Sequence, residues 1–258
     1  MGVALKGAMK SIGHRIIRLE EAGSTNTVAL ETEAYLEEHG LVLVAERQTA
    51  GRGRLGRRWA SLPGKQLEFS VVLHPVLPPE EVPLLSLVVA VAVAEAIEEK
   101  TGLQPALKWP NDVMIEGRKA CGILLEGRPG GARGARVVVG IGINCGGAPE
   151  DFPEELRDIL TTLSHAGGRE VARESLLEAM LTRLQARYRA LGEGGRPALL
   201  QDWTRRALLE GCSVRFNTPD GEVEGAPLGL TAEGYLLVQG RDGDRYVQIS
   251  GEMVWTLP

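Results

Sequence analysis

A nine-residue stretch, GRGRLGRRW at 51–59, limits the folds open to this chain more than any other. Its four arginines and three glycines suit neither a helix interior nor a buried strand. Glycine loses more backbone freedom on ordering than any other residue, and a buried arginine needs a partner. The stretch reads as a cationic surface loop, with ordered elements required on both sides of it. From Glu46 to Lys65 there are six basic residues and one acid, a local sum of +5 in a chain whose formal net charge is −5. Such a concentration of arginine against an acidic background points to an anionic client.

The flanks read as regular structure. His14 to Leu19 has the β-branched look of a strand, and the following segment opens a helix at Ser24 or Thr25 that Gly40 closes. A strand from Leu41 to Glu46 then enters the loop, so a helix start and a strand end are expected beside it. Beyond the loop come a strand from Leu67 to Pro75, an apolar helix opened by Pro79 and closed by Gly102, and a short strand from Ala106 to Trp109. VMIEGRKACGILLE predicts a hairpin with Gly117 and Arg118 in its two-residue turn. In that register Lys119, Cys121 and Ile123 share one face, and Gly122 lies on the other. Ala135 to Asn144 reads as a strand buried on both faces. Helices are predicted near 153–163, 170–191 and 197–209, followed from 211 by five or six short strands.

Composition removes several classes. An acidic chain with pI near 5.6 is a poor general nucleic-acid binder. Cys121, Cys145 and Cys212 are an odd number without zinc-type or CxxC spacing, which favours buried free thiols over a disulfide framework or a structural metal site. The N-terminal stretch lacks the continuous apolar segment of a secretory signal, and the apolar run from Val82 to Ile97 is short of the roughly 20 residues that span a bilayer. A cytoplasmic protein is expected. GRGRLG matches the dinucleotide pattern GxGxxG, but Pro63 and Gly64 follow where the phosphate-binding helix would have to begin.

Taken singly, the remaining polar motifs have ordinary explanations: a solvated loop, a lysine at a strand end, a PND turn, an asparagine ending a strand. In order along the chain they carry more. GSTN at 23–26, AERQTAGRGRLGRRW at 45–59, KWPND at 108–112, RKACGILLE at 118–126 and GIGIN at 140–144 resemble the biotin–protein ligases, and the β-rich tail resembles the small C-terminal domain of that family. The resemblance covers roughly 15–145 and the tail, and it says much less about 146–210. It implies an α+β fold: a mixed-sheet, class II synthetase-like catalytic domain flanked by helices over 1–210, and an SH3-like β-barrel over 211–258.

The implied activity is ATP-dependent attachment of biotin to a lysine of a biotin carboxyl carrier protein through biotinyl-5′-AMP, with biotin and ATP as substrates and Mg²⁺ as helper ion. The family pattern sets Ser24, Thr25, Asn26 and Gln48 against biotin, and Arg52, Gly53 and Arg54 around the carboxylate and phosphate. Lys119 and Arg54 fall at the catalytic positions. Trp59, Lys108, Asn111, Asp112 and Asn144 fall at ATP positions, and Asp112 stands ready to assist magnesium in a site with no metal cage of its own. Cys121 departs from the pattern as a packing residue, and the NCGG that follows Asn144 departs from it and leaves the cover over the adenine unassigned. Only 23 residues precede Ser24, fewer than a DNA-binding domain needs, so no specific DNA binding is expected, nor any membrane association. A homodimer stays open. Two other functions also stay open: a lipoate or octanoate transferase of the same fold, and a non-catalytic biotin-sensing protein.

Overall fold

Alternation along the central strands creates two unlike faces of one sheet. In the computed structural model, which describes residues 10–128, 134–219, 221–249 and 254–256, seven strands form a sheet ordered β1-β2-β3-β7-β6-β5-β4. They are β1 (Arg15–Ala22), β2 (Leu41–Gln48), β3 (Gln66–Leu73), β4 (Ala106–Lys108), β5 (Asp112–Ile115), β6 (Arg118–Arg128) and β7 (Arg136–Asn144). β1 and β2 run parallel and the other pairs antiparallel, so the sheet is mixed as expected. The readings of residues 1–9, of Asp220 in the PDGE turn and of the start of the last strand at 252–253 lie outside the described residues.

Val42, Val44, Leu67, Phe69, Val71, Leu73, Val139, Ile141 and Ile143 point to one side and join the main core. That side is covered by α3 (Leu84–Thr101), the apolar helix anticipated from the sequence, with twelve of its 18 residues buried. A helix apolar all round must be enclosed, and α3 lies between the sheet and two later helices, α5 (Arg173–Gly192) and α6 (Arg196–Arg206). No helix among the described residues is long and apolar enough to cross a membrane.

The opposite face carries Leu41, Leu43, Val72 and Val138 under α1 (Thr25–Glu31) and α2 (Glu33–Leu36). The single helix expected from Ser24 to Gly40 breaks at Thr32, whose extended backbone (φ −96°, ψ 99°) ends α1, while its carbonyl accepts from the Leu36 N–H and starts α2. Toward the other end of this face the apolar residues give way to Glu68, Ser70, Gly140, Gly142 and Gly122, which leaves a hollow.

The helix predicted near 153–163 is not α-helical. Short 3₁₀ turns occupy Pro149–Asp151 and Glu154–Leu156, and α4 (Leu163–Gly167) begins only afterwards. The intervening backbone bonds elsewhere: Lys119 N–H donates to the Ile159 carbonyl (2.8 Å), and Thr161 N–H donates to the Lys119 carbonyl (3.0 Å).

From Ser213 the chain forms a second, antiparallel sheet of five strands: β8 (Ser213–Thr218), β9 (Gly221–Leu230), β10 (Leu236–Gly240), β11 (Arg245–Gln248) and β12 (Val254–Thr256). Its order, β11-β10-β9-β8-β12, fits an SH3-like unit, but its ladder is open among the described residues where a closed barrel was expected. The unit leans on its neighbour as a small sheet must. The Trp109 indole N–H donates to the Gly234 carbonyl (3.1 Å), and Gly234 lies against Leu84 and Leu87 of α3.

One buried polar pair ties stability to pH. His39 Nδ1 accepts from the His74 backbone N–H (3.0 Å), which requires an unprotonated imidazole nitrogen. Burial, with repulsion from His74 and His14, pushes the His39 pKa down from 6.5 to about 4, and burial lowers that of His74 as well. Below pH 6.5 the unfolded chain takes up protons that the folded chain refuses, so stability is complete above pH 6.5 and falls as pH drops toward 4. Urea midpoints measured at pH 7.5 and 5 should show a loss on the order of 1–2 kcal/mol. His39→Asn, which keeps an acceptor but does not titrate, should roughly halve that difference.

Candidate active site

Every residue that the family pattern assigns to biotin, ATP or catalysis lines one cavity of ≈ 510 Å³ on the small-residue face of the seven-stranded sheet. Its chemistry changes from end to end.

One end is neutral, polar and closely hydrogen-bonded. Ser24 is the residue before α1, and its hydroxyl caps no helix N–H. Thr25 donates its N–H to Gln48 Oε1 (2.8 Å), so the helix start and the strand end meet beside the loop as expected. Ser70 Oγ stands 2.6 Å from both Thr25 Oγ1 and Asn26 Oδ1. Gln48 Nε2 donates to Glu68 (3.3 Å), which also accepts from Ser61 Oγ (2.6 Å). Glu68 is 1% exposed, and burial raises its pKa against the pull of these donors. Because Gln48 precedes the arginine loop and Ser61 follows it, this one carboxylate holds both of the loop's ends.

The loop itself is a tight hairpin. Arg52 and Arg58 form a β-bridge, Gly53 N–H donates to the Arg57 carbonyl (2.7 Å), and Trp59 N–H donates to the Gly51 carbonyl (3.0 Å). Leu55 sits at the tip in a left-handed conformation (φ 56°) and is 62% exposed. Arg52 reaches Glu126 (2.8 Å), and Arg54 donates to Asn111 Oδ1 (3.3 Å). Asn111 in turn donates to the Ile123 carbonyl (2.9 Å), which fixes its side chain.

Trp59 lies across Gly122 and Gly142, a directly opposed pair on β6 and β7. A Cβ at Gly142 would come within 2.5 Å of the indole, and one at Gly122 within 3.0 Å. The indole N–H has no acceptor in normal geometry among the described residues, although its nearness helps to hold charge on Glu68.

The far end is cationic. Lys119 Nζ is 2.6 Å from Asp112 Oδ1, an ion pair out of hydrogen-bonding line, and 5.9 Å from the centre of the Trp59 ring. Lys108 lies 5.9 Å from the Trp255 ring of the second sheet. Burial lowers the pKa of Lys108, helped by Lys119 and Arg57 and opposed by Asp112. Arg54 is shifted the same way, by burial and Arg57 against Asp112. Arg54, Lys108 and Lys119 thus all feel Asp112, with Arg57 near the first two, an arrangement that favours added negative charge.

The hairpin carrying Asp112 and Lys119 differs from the expected one. Its turn is Glu116–Gly117, both with positive φ (49° and 73°), rather than Gly117–Arg118. Two successive left-handed residues match the twist of the flanking strands. Opposite the step from Val113 to Met114, Ala120 is an extra residue on β6, a β-bulge that reverses the alternation. Lys119 therefore shares the cavity face with Gly122, with which the straight register had set it at odds, while Cys121 turns into the core. All three cysteines are buried free thiols, and burial pushes the Cys145 thiol up to about 12.

Asn144 is 2% exposed, and its amide is committed to the protein: Oδ1 accepts from Gln66 (2.8 Å), and Nδ2 donates to the carbonyls of Lys119 (3.3 Å) and Thr161 (3.2 Å). It braces the cavity end where three segments meet. Sequence reasoning missed Glu68, Glu126, Arg57, Trp255 and the 152–160 wall with Phe152, Leu156 and Ile159. The alternation of LEFSVV could have revealed Glu68 beside Ser70; nothing local connects Trp255 to a site more than a hundred residues upstream.

Residues 20–144 match the family described as the biotin/lipoate A/B protein ligase family, and residues 211–254 match the biotin protein ligase C-terminal domain. The chain is similar to the bifunctional ligase/repressor BirA of Bacillus subtilis, at 38% identity over 90% of this chain and 71% of that protein. It is 34% identical to the biotin–[acetyl-CoA-carboxylase] ligase of Mycobacterium tuberculosis, over 91% of this chain and 86% of the relative. A solved structure of the Aquifex aeolicus biotin protein ligase in complex with biotin and ATP superposes with a TM-score of 0.82 at 32% identity, covering 95% of this chain and all of that one.

The glycine floor gives a direct check. Gly142→Ala should displace the indole and destabilise the fold by about 1–3 kcal/mol, as overpacking does. Near-UV circular dichroism should register the displacement, and the difference should vanish when Gly142→Ala is introduced into a Trp59→Phe background.

Proposed function

The chain belongs to the biotin protein ligases, and on that premise we propose how the cavity divides the work. The protein is a biotin–[acetyl-CoA-carboxylase] ligase that attaches biotin to a carboxyl carrier protein at the expense of ATP, through biotinyl-5′-AMP. In the first step a biotin carboxylate oxygen attacks the α-phosphorus, and the bond to the β-phosphate oxygen breaks to release pyrophosphate. In the second, a lysine amine of the acceptor attacks the acyl carbon and AMP departs.

The observation that carries this reading is the convergence of Arg54, Lys108 and Lys119 on Asp112, with Arg57 close to Arg54 and Lys108, beside a neutral polar pocket. A carboxylate and a triphosphate repel each other, and fixed positive charge is what brings them into contact and stabilises the charge that grows on the phosphate oxygens. The neutral end, with Ser24, Thr25, Asn26 and Gln48, suits the uncharged ureido ring of biotin. Lys119, at the cationic end beside Trp59 and Asp112, takes the reacting oxygens. Arg52, Gly53 and Arg54 enclose the anhydride, while Trp59, Lys108, Asn111 and Asn144 line the nucleotide's side.

Among the described residues no group of three His, Cys, Asp or Glu side chains could cage a metal ion. Asp112, whose Oδ1 is ion-paired with Lys119 (2.6 Å), is the carboxylate that would assist the ion beside bound phosphates. Magnesium at this site would be held mainly by phosphate and water, with Asp112 as the protein's carboxylate, and would supply neutralisation of phosphate charge. The division into a catalytic domain over 1–210 and an SH3-like domain over 211–258 belongs to the same proposal, supported by the second sheet beginning at Ser213. So does a cytoplasmic enzyme without specific DNA binding, which the buried free thiols and the acidic background outside the loop support.

Purified protein should catalyse exchange of labelled pyrophosphate into ATP with biotin and not with octanoate or lipoate; no exchange at saturating biotin refutes the reading. Lys119→Ala should lower that exchange by about 10²–10³-fold. Arg54→Gly should release biotinyl-5′-AMP, measured as biotin appearing on bystander lysines by mass spectrometry; labelling confined to the carrier domain would count against its part in retention.

A further inference from the structure

Glu126 ends the RKACGILLE motif, and the reaction as described leaves it without a part. It lies on β6 opposite Val138, on the face of the sheet that carries the cavity. One of its oxygens, Oε2, accepts from Asn26 Nδ2 (2.8 Å) and from Arg52 Nη2 (2.8 Å). The first donor belongs to the start of α1 and the second to the arginine loop, so a single carboxylate oxygen joins the neutral pocket to its cover.

Asn26 has no freedom to rearrange. Its amide nitrogen also donates to the Leu124 carbonyl (3.4 Å), its oxygen faces Ser70 Oγ (2.6 Å), and the floor beneath it is Gly140, where a Cβ would fall 2.6 Å from that oxygen. Asn26 is 3% exposed and rigidly aimed, so Glu126 is held from the pocket side and presents its charge to the loop. The hollow under the loop is walled by residues 50–58 and, from the body of the protein, by Leu124 and Glu126. Leu124 supplies an apolar contact there, and Glu126 supplies the charge.

We propose that Glu126 is a positioning residue that latches the arginine loop onto the neutral pocket, with Asn26 as its fixed anchor and Arg52 as the bolt. The closed loop then carries Gly53 and Arg54 over the acid's carboxylate, so Glu126 governs how tightly biotin and its adenylate are retained, and ATP binding depends on it much less. The kinetic part of this inference rests on the biotin-ligase reading; the latch itself does not.

The test uses the full chain with Glu126→Gln, Arg52→Met and the double variant. Glu126→Gln keeps the shape and an oxygen for Asn26 but removes the charge that holds Arg52. In the ligand-free protein, trypsin cleavage after Arg57 and Arg58 should speed up about tenfold in either single variant, and no further in the double, because both remove the same link. In pyrophosphate exchange by Glu126→Gln, which leaves Arg52 itself in place, the KM for biotin should rise about tenfold and the KM for ATP less than about twofold, a split that a general loss of structure does not produce. Unchanged cleavage in Glu126→Gln, additive effects in the double variant, or the two KM values rising together with a lowered Tm would each overturn the latch. A wild-type protein without biotin-dependent exchange refutes the ligase reading instead, and the cleavage comparison still decides the latch.

Discussion

Lys108 is repelled by Lys119 and Arg57, and Arg54 by Arg57, and the folded chain nevertheless keeps Arg54, Lys108 and Lys119 around one carboxylate, Asp112, in a partly buried cavity. Charges of like sign gather this way only where a rigid frame supplies the energy, because the repulsion grows as water is removed. The frame is the sheet edge. Lys108 stands at the end of β4, Asp112 pairs with it at the start of β5, and Lys119 is the second residue of β6, so backbone hydrogen bonds set the spacing of all three. The fourth and fifth participants, Arg54 and Arg57, arrive on a loop stapled at its ends by Glu68 through Gln48 and Ser61. A site built in this way is charged before its ligand arrives, which is what lets it favour a transition state without reorganising.

The small residues of the cavity face are the other half of that frame. Gly122 and Gly142 leave just the depth that the Trp59 indole fills, and the indole then stands beside Lys119. Larger residues at those two positions would lift the tryptophan and the loop segment that carries it. The apolar side of the same strands packs on α3, so the sheet that shapes the cavity is itself anchored by the larger of the two hydrophobic clusters among the described residues.

Much of this could be read from the chain. The loop, the apolar helix, the positive-φ stop at Gly102 and all seven strands of the large sheet follow from local composition and periodicity, and ordered motifs from Ser24 to Asn144 named residues that do meet at one cavity. The hairpin between β5 and β6 shows where such reading ends. Its two-residue turn was expected one position late, and the Ala120 bulge is invisible to a period-two pattern, yet together they decide that Lys119 and Gly122 face the same way. Residues 153–163 read as helical in the sequence; they form short local turns instead, and the Ile159 carbonyl and Thr161 N–H bond to Lys119, a partner some forty residues away.

The sequence by itself determined the kinds of group present and their order: a flexible cationic loop, lysines at strand ends, a polar helix start and small residues on alternate positions. These are local matters, set by backbone entropy, side-chain charge and hydrophobic period. The tertiary structure alone decided which of these groups share a face, which carboxylate each cation answers to, and that Trp255 of the second sheet closes the cavity beside Lys108. Those outcomes depend on strand register and on packing between distant segments. Within a sheet, a shift of one residue turns a side chain from the site into the core.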